Sequence, residues 1–171
     1  MNGTTATARA RRIAAAIVLA LSIGSLAQPV PAVASALRAG TAPETGSDRL
    51  RVGEDAWRLL QLTNAARERR GLVKLQLDRE ASQIARRHSV AMATAGDLFH
   101  TTDVSPYLDG VAWHRWGENV GYTPGSIEGL QQAFMDSEPH RANVLQPAFR
   151  RVAIGTVRVG GVLWVTLFFY G

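Results

Sequence analysis

The chain has 171 residues, with 19 basic and 14 acidic side chains and no cysteine. This length predicts one domain, or one domain with a short appendage. The absence of cysteine excludes disulfides, a cysteine nucleophile and a thiolate metal site, so the fold depends on a hydrophobic core. A mature chain of about 125 residues can form such a core, because domains of this size bury roughly two thirds of their unfolded surface.

Residues 1–36 have the pattern of a secretory signal peptide. Three arginines precede an apolar run at 13–27, and small residues after it offer cleavage following Ala34 or Ala36. The run is shorter than the roughly 20 apolar residues that a membrane-spanning helix needs. We therefore expect a secreted, extracellular protein. An uncleaved N-terminal anchor is the alternative, and it would be the chain's contact with a membrane.

Much of the net positive charge lies in that segment. Without Arg9, Arg11 and Arg12, 16 basic residues face 14 acidic ones, a net charge of +2. So small a charge gives no support for a nucleic-acid partner, and we expect none. The Arg11-Arg12 pair by itself is weak support for twin-arginine export.

Residues 37–50 are mostly small and polar, which predicts a flexible leader before a domain at 51–171. The domain begins with good helix formers between Glu54 and Arg70, so the first helix is predicted there.

A second helix is predicted between Asp78 and Gly96. Asp78 is a favourable N-cap, apolar residues recur at spacings of three and four, and Gly96 is a C-terminal stop. His88 falls on this apolar stripe. We interpret it as a hydrogen-bonded core histidine, since buried polar groups find partners without needing a function.

Residues 97–122 lose this periodicity and are rich in aromatic residues and glycine. We predict a long, mostly irregular segment, of the kind that often carries function in compact domains. A short helix follows, capped by Ser126 and ended by Pro139, with Leu130 and Phe134 facing inward.

Two β-rich runs, 151–159 and 162–170, are separated by Gly160-Gly161. Two such runs joined by Gly-Gly predict a β-hairpin. The second run, VLWVTLFFY, is apolar on both faces, which predicts a central strand covered on both sides. The chain is therefore predicted to be α+β: an α/β/α three-layer sandwich with a small, mainly antiparallel central sheet.

Histidine and glutamate residues next to the irregular segment are the candidate site. His100 opens that segment, Glu118 lies within WGENVGY at 116–122, and His140 follows the short helix. Two imidazoles and a carboxylate are typical ligands of an open divalent metal site, and they also form a general acid/base set. The residue types alone leave both roles open, together with the alternative that these are unrelated surface groups.

Five motifs follow one another in chain order: LQLTNAAR at 60–67, Ala81-x3-Ala85-x2-His88-x3-Met92, Phe99-His100, Gly117-Glu118-Asn119-Val120, and Ser137-Glu138-Pro139-His140-Arg141-x-Asn143-Val144-Leu145. Together they resemble the bacterial branch of the CAP superfamily. This is the SCP domain of cysteine-rich secretory proteins, antigen 5 and plant pathogenesis-related proteins. The resemblance spans about residues 55–171.

The resemblance implies an α/β/α sandwich with a surface cleft in which histidines and glutamates meet. His100 matches the family's first cleft histidine, Glu118 the glutamate of its Gly-Glu-Asn motif, and His140 the histidine of a bacterial Ser-Pro-x-His-Arg-like motif. The chain departs from animal members at about Ser137, where they have a second glutamate, and at 150–155, a strand without their second histidine. A His-Glu-His set therefore remains, which implies His100, Glu118 and His140 as candidate ligands of a divalent cation, with zinc preferred.

Three functions stay open. The first is a secreted binding module for a divalent cation, a small apolar ligand or envelope material, and the resemblance adds lipids and sterols as partners. The second is a hydrolase in which His100 and His140 hold a metal with Glu118 as ligand or base, or in which His140 activates Ser137. The third is structural, with Glu118 and Asn119 satisfying backbone groups.

We also expect Gly117 to permit a close approach of the backbone, and Trp116 and Tyr122 to form walls of the site. Asn119 is assigned the structural role, since an amide can bridge backbone donors and acceptors. We expect a monomer.

Overall fold

The computed structural model describes residues 17–18 and 46–171. This part of the chain contains five helices and five strands: β1 Ile17–Val18, α1 Gly46–Glu68, β2 Gln76–Leu77, α2 Arg79–Ala95, α3 Ser105–Leu108, β3 Trp116–Thr123, α4 Ile127–Asp136, α5 Glu138–Val144, β4 Arg151–Val159 and β5 Val162–Tyr170. None of the described helices has the length and apolar character needed to cross a bilayer.

The predicted signal peptide at 1–36 lies outside the described residues except for β1. The predicted leader at 37–50 lies outside them up to residue 45, and its last residues belong to α1, which begins at Gly46. The first helix is therefore longer at its N-terminus than the segment Glu54–Arg70 that the sequence predicts.

The strands form one sheet in the order β1-β3-β5-β4-β2. Neighbouring strands are antiparallel except β2, which runs parallel to β4. The β4–β5 hairpin is confirmed, and Gly160 and Gly161 turn it with φ angles of 57° and 81°. A two-residue turn with positive φ at both positions is what glycine permits and the twist of the strands requires. The strand order and directions confirm the predicted small, mainly antiparallel sheet.

Side chains alternate along β5, and every second one contacts the same layer of helices. One face packs on α1, α4 and α5 through Leu163, Val165, Leu167 and Phe169. Phe168 and Tyr170 on the opposite face pack on α2 and α3. Helices thus cover both faces of the sheet, which confirms the three-layer α/β/α sandwich.

Helix α2 lies unusually close to β4. Asp78 caps it by accepting a hydrogen bond from the Ala81 N–H, and Gly96 ends it with φ of 67°, as predicted. A Cβ atom on Gly155 would lie 2.0 Å from the backbone carbon of Ala85. The glycine therefore lets the helix backbone rest on the strand, and this fixes the position of every α2 side chain relative to the sheet.

Two sequence predictions of local structure are wrong. Trp116 to Tyr122 is not irregular, because it belongs to strand β3. Its glycines leave room for neighbours: a Cβ on Gly117 would lie 2.4 Å from Oδ1 of Asn143. The second error concerns Pro139, which lies in the first turn of α5 and thus opens a helix. Ser126 caps α4 as predicted.

Candidate functional site

A cleft at the start of β3 brings the three predicted residues together. It encloses a cavity of about 350 Å³, lined by His100, Thr101, Thr102, Trp116, Glu118, Pro139, His140 and Asn143. The loop after α2, strand β3 and helix α5 each contribute to this lining. Residues that are far apart in the sequence therefore share one surface, as the resemblance implies.

Glu118 is the most heavily hydrogen-bonded member of the cleft. Its Oε2 accepts bonds from Nδ1 of His100 at 2.7 Å and from the Thr101 N–H at 2.9 Å, and its Oε1 accepts a bond from the Thr101 hydroxyl at 2.6 Å. Nε2 of His88 lies 4.0 Å from Oε1. The carboxylate is thus buried, and it is satisfied by the loop at 100–101.

Two opposing effects set the pKa of Glu118. Burial by itself would raise the pKa of Glu118. The hydrogen bonds from His100 and Thr101 together lower the pKa by more than burial raises it, so the pKa lies below its ordinary value. The ionised carboxylate only accepts hydrogen bonds, so Nδ1 of His100 must be the donor. In the neutral imidazole this leaves Nε2 of His100 as a lone-pair acceptor.

Nε2 of His100 is buried and has no hydrogen-bond partner among the described residues. A buried polar atom without a partner is unusual in a folded protein and requires an explanation. Here the opposite nitrogen of the same ring is held by Glu118, so the orientation of the imidazole is set before any ligand arrives.

The side chain of His140 hydrogen-bonds to a different residue from that of His100. Its Nδ1 pairs with the Ser137 hydroxyl at 2.7 Å, and its backbone carbonyl accepts a bond from Nδ2 of Asn119 at 3.1 Å. Adjacent residues of a strand point to opposite faces of the sheet. The Glu118 side chain therefore binds the loop after α2, whereas the Asn119 side chain holds α5. The structural role predicted for Asn119 matches this contact.

A metal fits part of this arrangement. Metal-binding histidines usually donate their second ring nitrogen to a carboxylate, which is how His100 is held. Glu118 itself is occupied by three hydrogen bonds and fits better as the group that orients His100. Among the described residues no three His, Asp, Glu or Cys side chains are grouped to hold a cation. The ligand set His100, Glu118 and His140 stays a prediction.

Trp116 forms an aromatic wall of the cleft, and other aromatic rings stack behind it. Trp116 stacks on Phe168 with centroids 5.5 Å apart, and Phe168 stacks on Tyr107 at 4.0 Å. Trp116 lines the cavity as predicted and is 41% exposed. Tyr122 does not line it, because its ring packs on Trp164 at 4.7 Å.

Sequence reasoning missed three residues of the site. His88 donates from Nε2 to the Phe99 carbonyl at 2.9 Å, so it is hydrogen-bonded as predicted, but it also lies beside Glu118. Asn143 donates from Nδ2 to the Glu118 carbonyl and to Oδ1 of Asn119.

Thr101 supplies two of the three hydrogen bonds to the Glu118 carboxylate. Proximity to His100 in the sequence was the only signal for Thr101.

Comparisons with known proteins agree with this architecture. A family model described as CAP, the cysteine-rich secretory protein family, matches residues 60–168. The uncharacterized protein YkwD of Bacillus subtilis is 32% identical over 117 residues, which cover 65% of this chain and 45% of that protein. The chain therefore spans less than half the length of this curated relative.

Two solved structures show a similar fold. An extracellular protein containing an SCP domain from Bacillus anthracis has a TM-score of 0.62 and 24% identity, covering 76% of this chain and 45% of its own. A cysteine-rich secretory protein from Staphylococcus aureus has a TM-score of 0.59 and 22% identity, covering 70% and 39%. At these identities the likeness shows the shared fold alone.

Proposed function

The chain belongs to the cysteine-rich secretory protein (CAP) family, and on that premise we propose that it is a secreted binding module whose cleft holds a ligand on Nε2 of His100. The observation that carries the proposal is this buried nitrogen, which has no hydrogen-bond partner among the described residues. Secretion is supported by the pattern of residues 1–36 and by the extracellular B. anthracis protein of similar fold.

The chemistry of the cleft limits the ligand. A neutral imidazole with its Nδ1–H bound to a carboxylate offers a lone pair at Nε2, which takes a divalent cation or a hydroxyl donor. Trp116 and Pro139 add apolar walls. The ligands that match are a divalent cation such as Zn²⁺ and a small, mainly apolar molecule with one hydroxyl group, the class to which sterols and fatty alcohols belong.

Calorimetric titration with Zn²⁺ tests the cation. We expect His100→Ala to abolish the binding heat, and Glu118→Gln to weaken affinity by about 10–100-fold, because the imidazole loses the group that orients it. His114→Ala is the matched control, since His114 is an exposed histidine outside the cavity. Equal heats from the wild type and His100→Ala would contradict a zinc site on His100.

Titration with decanol tests the apolar ligand in the same set of variants. If the cleft holds an alcohol, His100→Ala and Trp116→Ala both weaken binding while His114→Ala does not. Absence of binding of both Zn²⁺ and decanol to the wild-type protein would contradict the proposed binding function.

A hydrolase is the second candidate, because the Ser137 hydroxyl lies 2.7 Å from Nδ1 of His140. This is the distance at which an imidazole can accept the proton of a nucleophilic serine. Ser137 is, however, absent from the residues that line the cavity. Hydrolysis of a p-nitrophenyl ester that is lost in Ser137→Ala would support this function, and equal rates in both proteins would exclude Ser137 as its nucleophile.

A further inference from the structure

A second groove lies along the outer edge of β4 and shares no lining residue with the cleft. Its cavity of about 810 Å³ is within the usual range for small-molecule sites. Strand β2 pairs only with Arg151 and Val152, so beyond Val152 the edge of β4 opposite β5 has no neighbouring strand among the described residues. The groove occupies the space between α1 and α2 along that uncovered edge.

One wall of this groove is positively charged. Arg79, Arg86 and Arg87 line it from α2, and none of its described lining residues is acidic. Within residues 53–171 Arg79 and Arg87 take part in no ion pair, whereas Arg86 already has an interaction of its own. On α1, Asp55 lies between two lining residues, but Arg158 already neutralises it with bonds of 2.8 and 3.1 Å.

The remaining lining is apolar and aromatic. Trp57 from α1 is 54% exposed, the largest exposed fraction of any described tryptophan, and Leu77 and Ile154 also line the groove. An exposed aromatic ring beside arginines is a pairing typical of binding surfaces, because the ring contributes apolar area and the guanidinium contributes directed hydrogen bonds.

The strand edge itself is not available for an added peptide strand. The Ile154 N–H, which faces this edge, donates to the Ser82 hydroxyl at 3.0 Å. A peptide that extended the sheet would need this backbone group. The groove therefore matches a small molecule better than a protein segment.

We propose that this groove is a second binding site, for an anionic amphiphile. Arg79 and Arg87 bind its acidic head group, and Trp57 and Leu77 contact its apolar part. Guanidinium groups bind phosphate and carboxylate oxygens through charge-assisted hydrogen bonds, so both kinds of head group fit.

Calorimetric titration of the full chain with monomeric dodecyl phosphate tests the proposal. We expect the Arg79→Gln/Arg87→Gln double variant to lose at least about tenfold in affinity, equivalent to about 1.4 kcal/mol. The matched control is Arg69→Gln/Arg70→Gln, which removes the same charge from two exposed arginines outside the groove. The control is expected to bind like the wild type.

Three further measurements make the result specific. Trp57→Ala should weaken dodecyl phosphate binding, whereas Trp113→Ala, at a tryptophan that is also exposed, should not. Inorganic phosphate should bind more weakly than dodecyl phosphate, and dodecyl maltoside, with the same tail and no charge, should bind more weakly too. Dodecanoate in place of the phosphate distinguishes the two head groups, and binding of either by the arginine pair supports the site.

Equal losses in the two arginine double variants would overturn the proposal, because the attraction would then be general rather than local. Unchanged affinity in Trp57→Ala, or no binding of either amphiphile by the wild type, would overturn it as well. Thermal unfolding of each variant is measured in parallel. Because the site is separate from the cleft, His100→Ala is expected to bind dodecyl phosphate normally.

Discussion

Glu118 and Arg67 are both buried charges, but different kinds of groups satisfy them. Arg67 on α1 is fully buried and donates only to backbone carbonyls, those of Val73, Val144, Gln146 and Phe149, at 2.9 to 3.2 Å. Glu118 accepts two of its three bonds from side chains, which belong to His100 and Thr101.

The difference shows which charge is structural. Arg67 joins the end of α1 to the segment between α5 and β4, and four of its five N–H donors reach fixed backbone acceptors. Glu118 instead orients an imidazole whose second nitrogen has no partner among the described residues. A buried charge held by backbone stabilises loops, whereas one held by an ionisable ring can prepare that ring for binding.

Arg67→Met is expected to have the largest effect. It leaves four backbone carbonyls without their donor, two of them in buried bonds and two in part-buried bonds, so the free energy of unfolding should fall by about 3–5 kcal/mol. Urea denaturation measures the change. Arg69→Met, at an exposed position two residues later, is the control and should change stability little. A loss below about 1 kcal/mol would contradict the structural role of Arg67.

Glu118→Gln should lower the free energy of unfolding by an intermediate amount, again measured by urea denaturation. The substitution keeps the shape of the side chain but removes the charge that strengthens the bonds from His100 and Thr101, so we expect a loss of about 1–3 kcal/mol. A loss as large as that of Arg67→Met would mean that Glu118 is primarily structural, and would weaken the contrast between the two charges.

The stability effects of Glu118→Gln and Arg67→Met should depend differently on pH in the acid range. The pKa of Glu118 is lowered, so its contribution to stability is complete above the ordinary value of 4.5 and is lost as the pH falls through the lower folded value. The stability difference between wild type and Glu118→Gln should therefore narrow below pH 4.5. The difference for Arg67→Met should not, because a guanidinium stays protonated. Urea denaturation across the acid range tests both.

Gly117→Ala should have the smallest effect. The added methyl group would lie 2.4 Å from Oδ1 of Asn143, a side chain that can shift, so we expect a loss of about 1–2 kcal/mol and weaker ligand binding in the cleft. Gly53→Ala is the control: no heavy atom lies within 4 Å of the new Cβ, so stability should stay equal or rise slightly. Unchanged ligand affinity in Gly117→Ala would show that Asn143 does not shape the cleft.

Elements with local signals could be predicted from the sequence. The Gly160–Gly161 hairpin and the capped helix α2 depend on neighbouring residues, and both are confirmed. Strand β3 was missed because its glycines and aromatic residues resemble a loop until the close approach of Asn143 is known. The start of α5 was missed for a similar reason, since Pro139 is compatible with both the end and the beginning of a helix.

The amino-acid sequence by itself determined the fold class and the family and pointed to His100, Glu118 and His140 in the cleft, because alternating apolar patterns and ordered motifs are local properties of a chain. Only the tertiary structure decided what those residues do to one another. Glu118 pairs with His100, while His140 pairs with Ser137 and is held through Asn119. The reason is the geometry of a strand: adjacent side chains point to opposite faces, so Glu118 and Asn119 meet different partners.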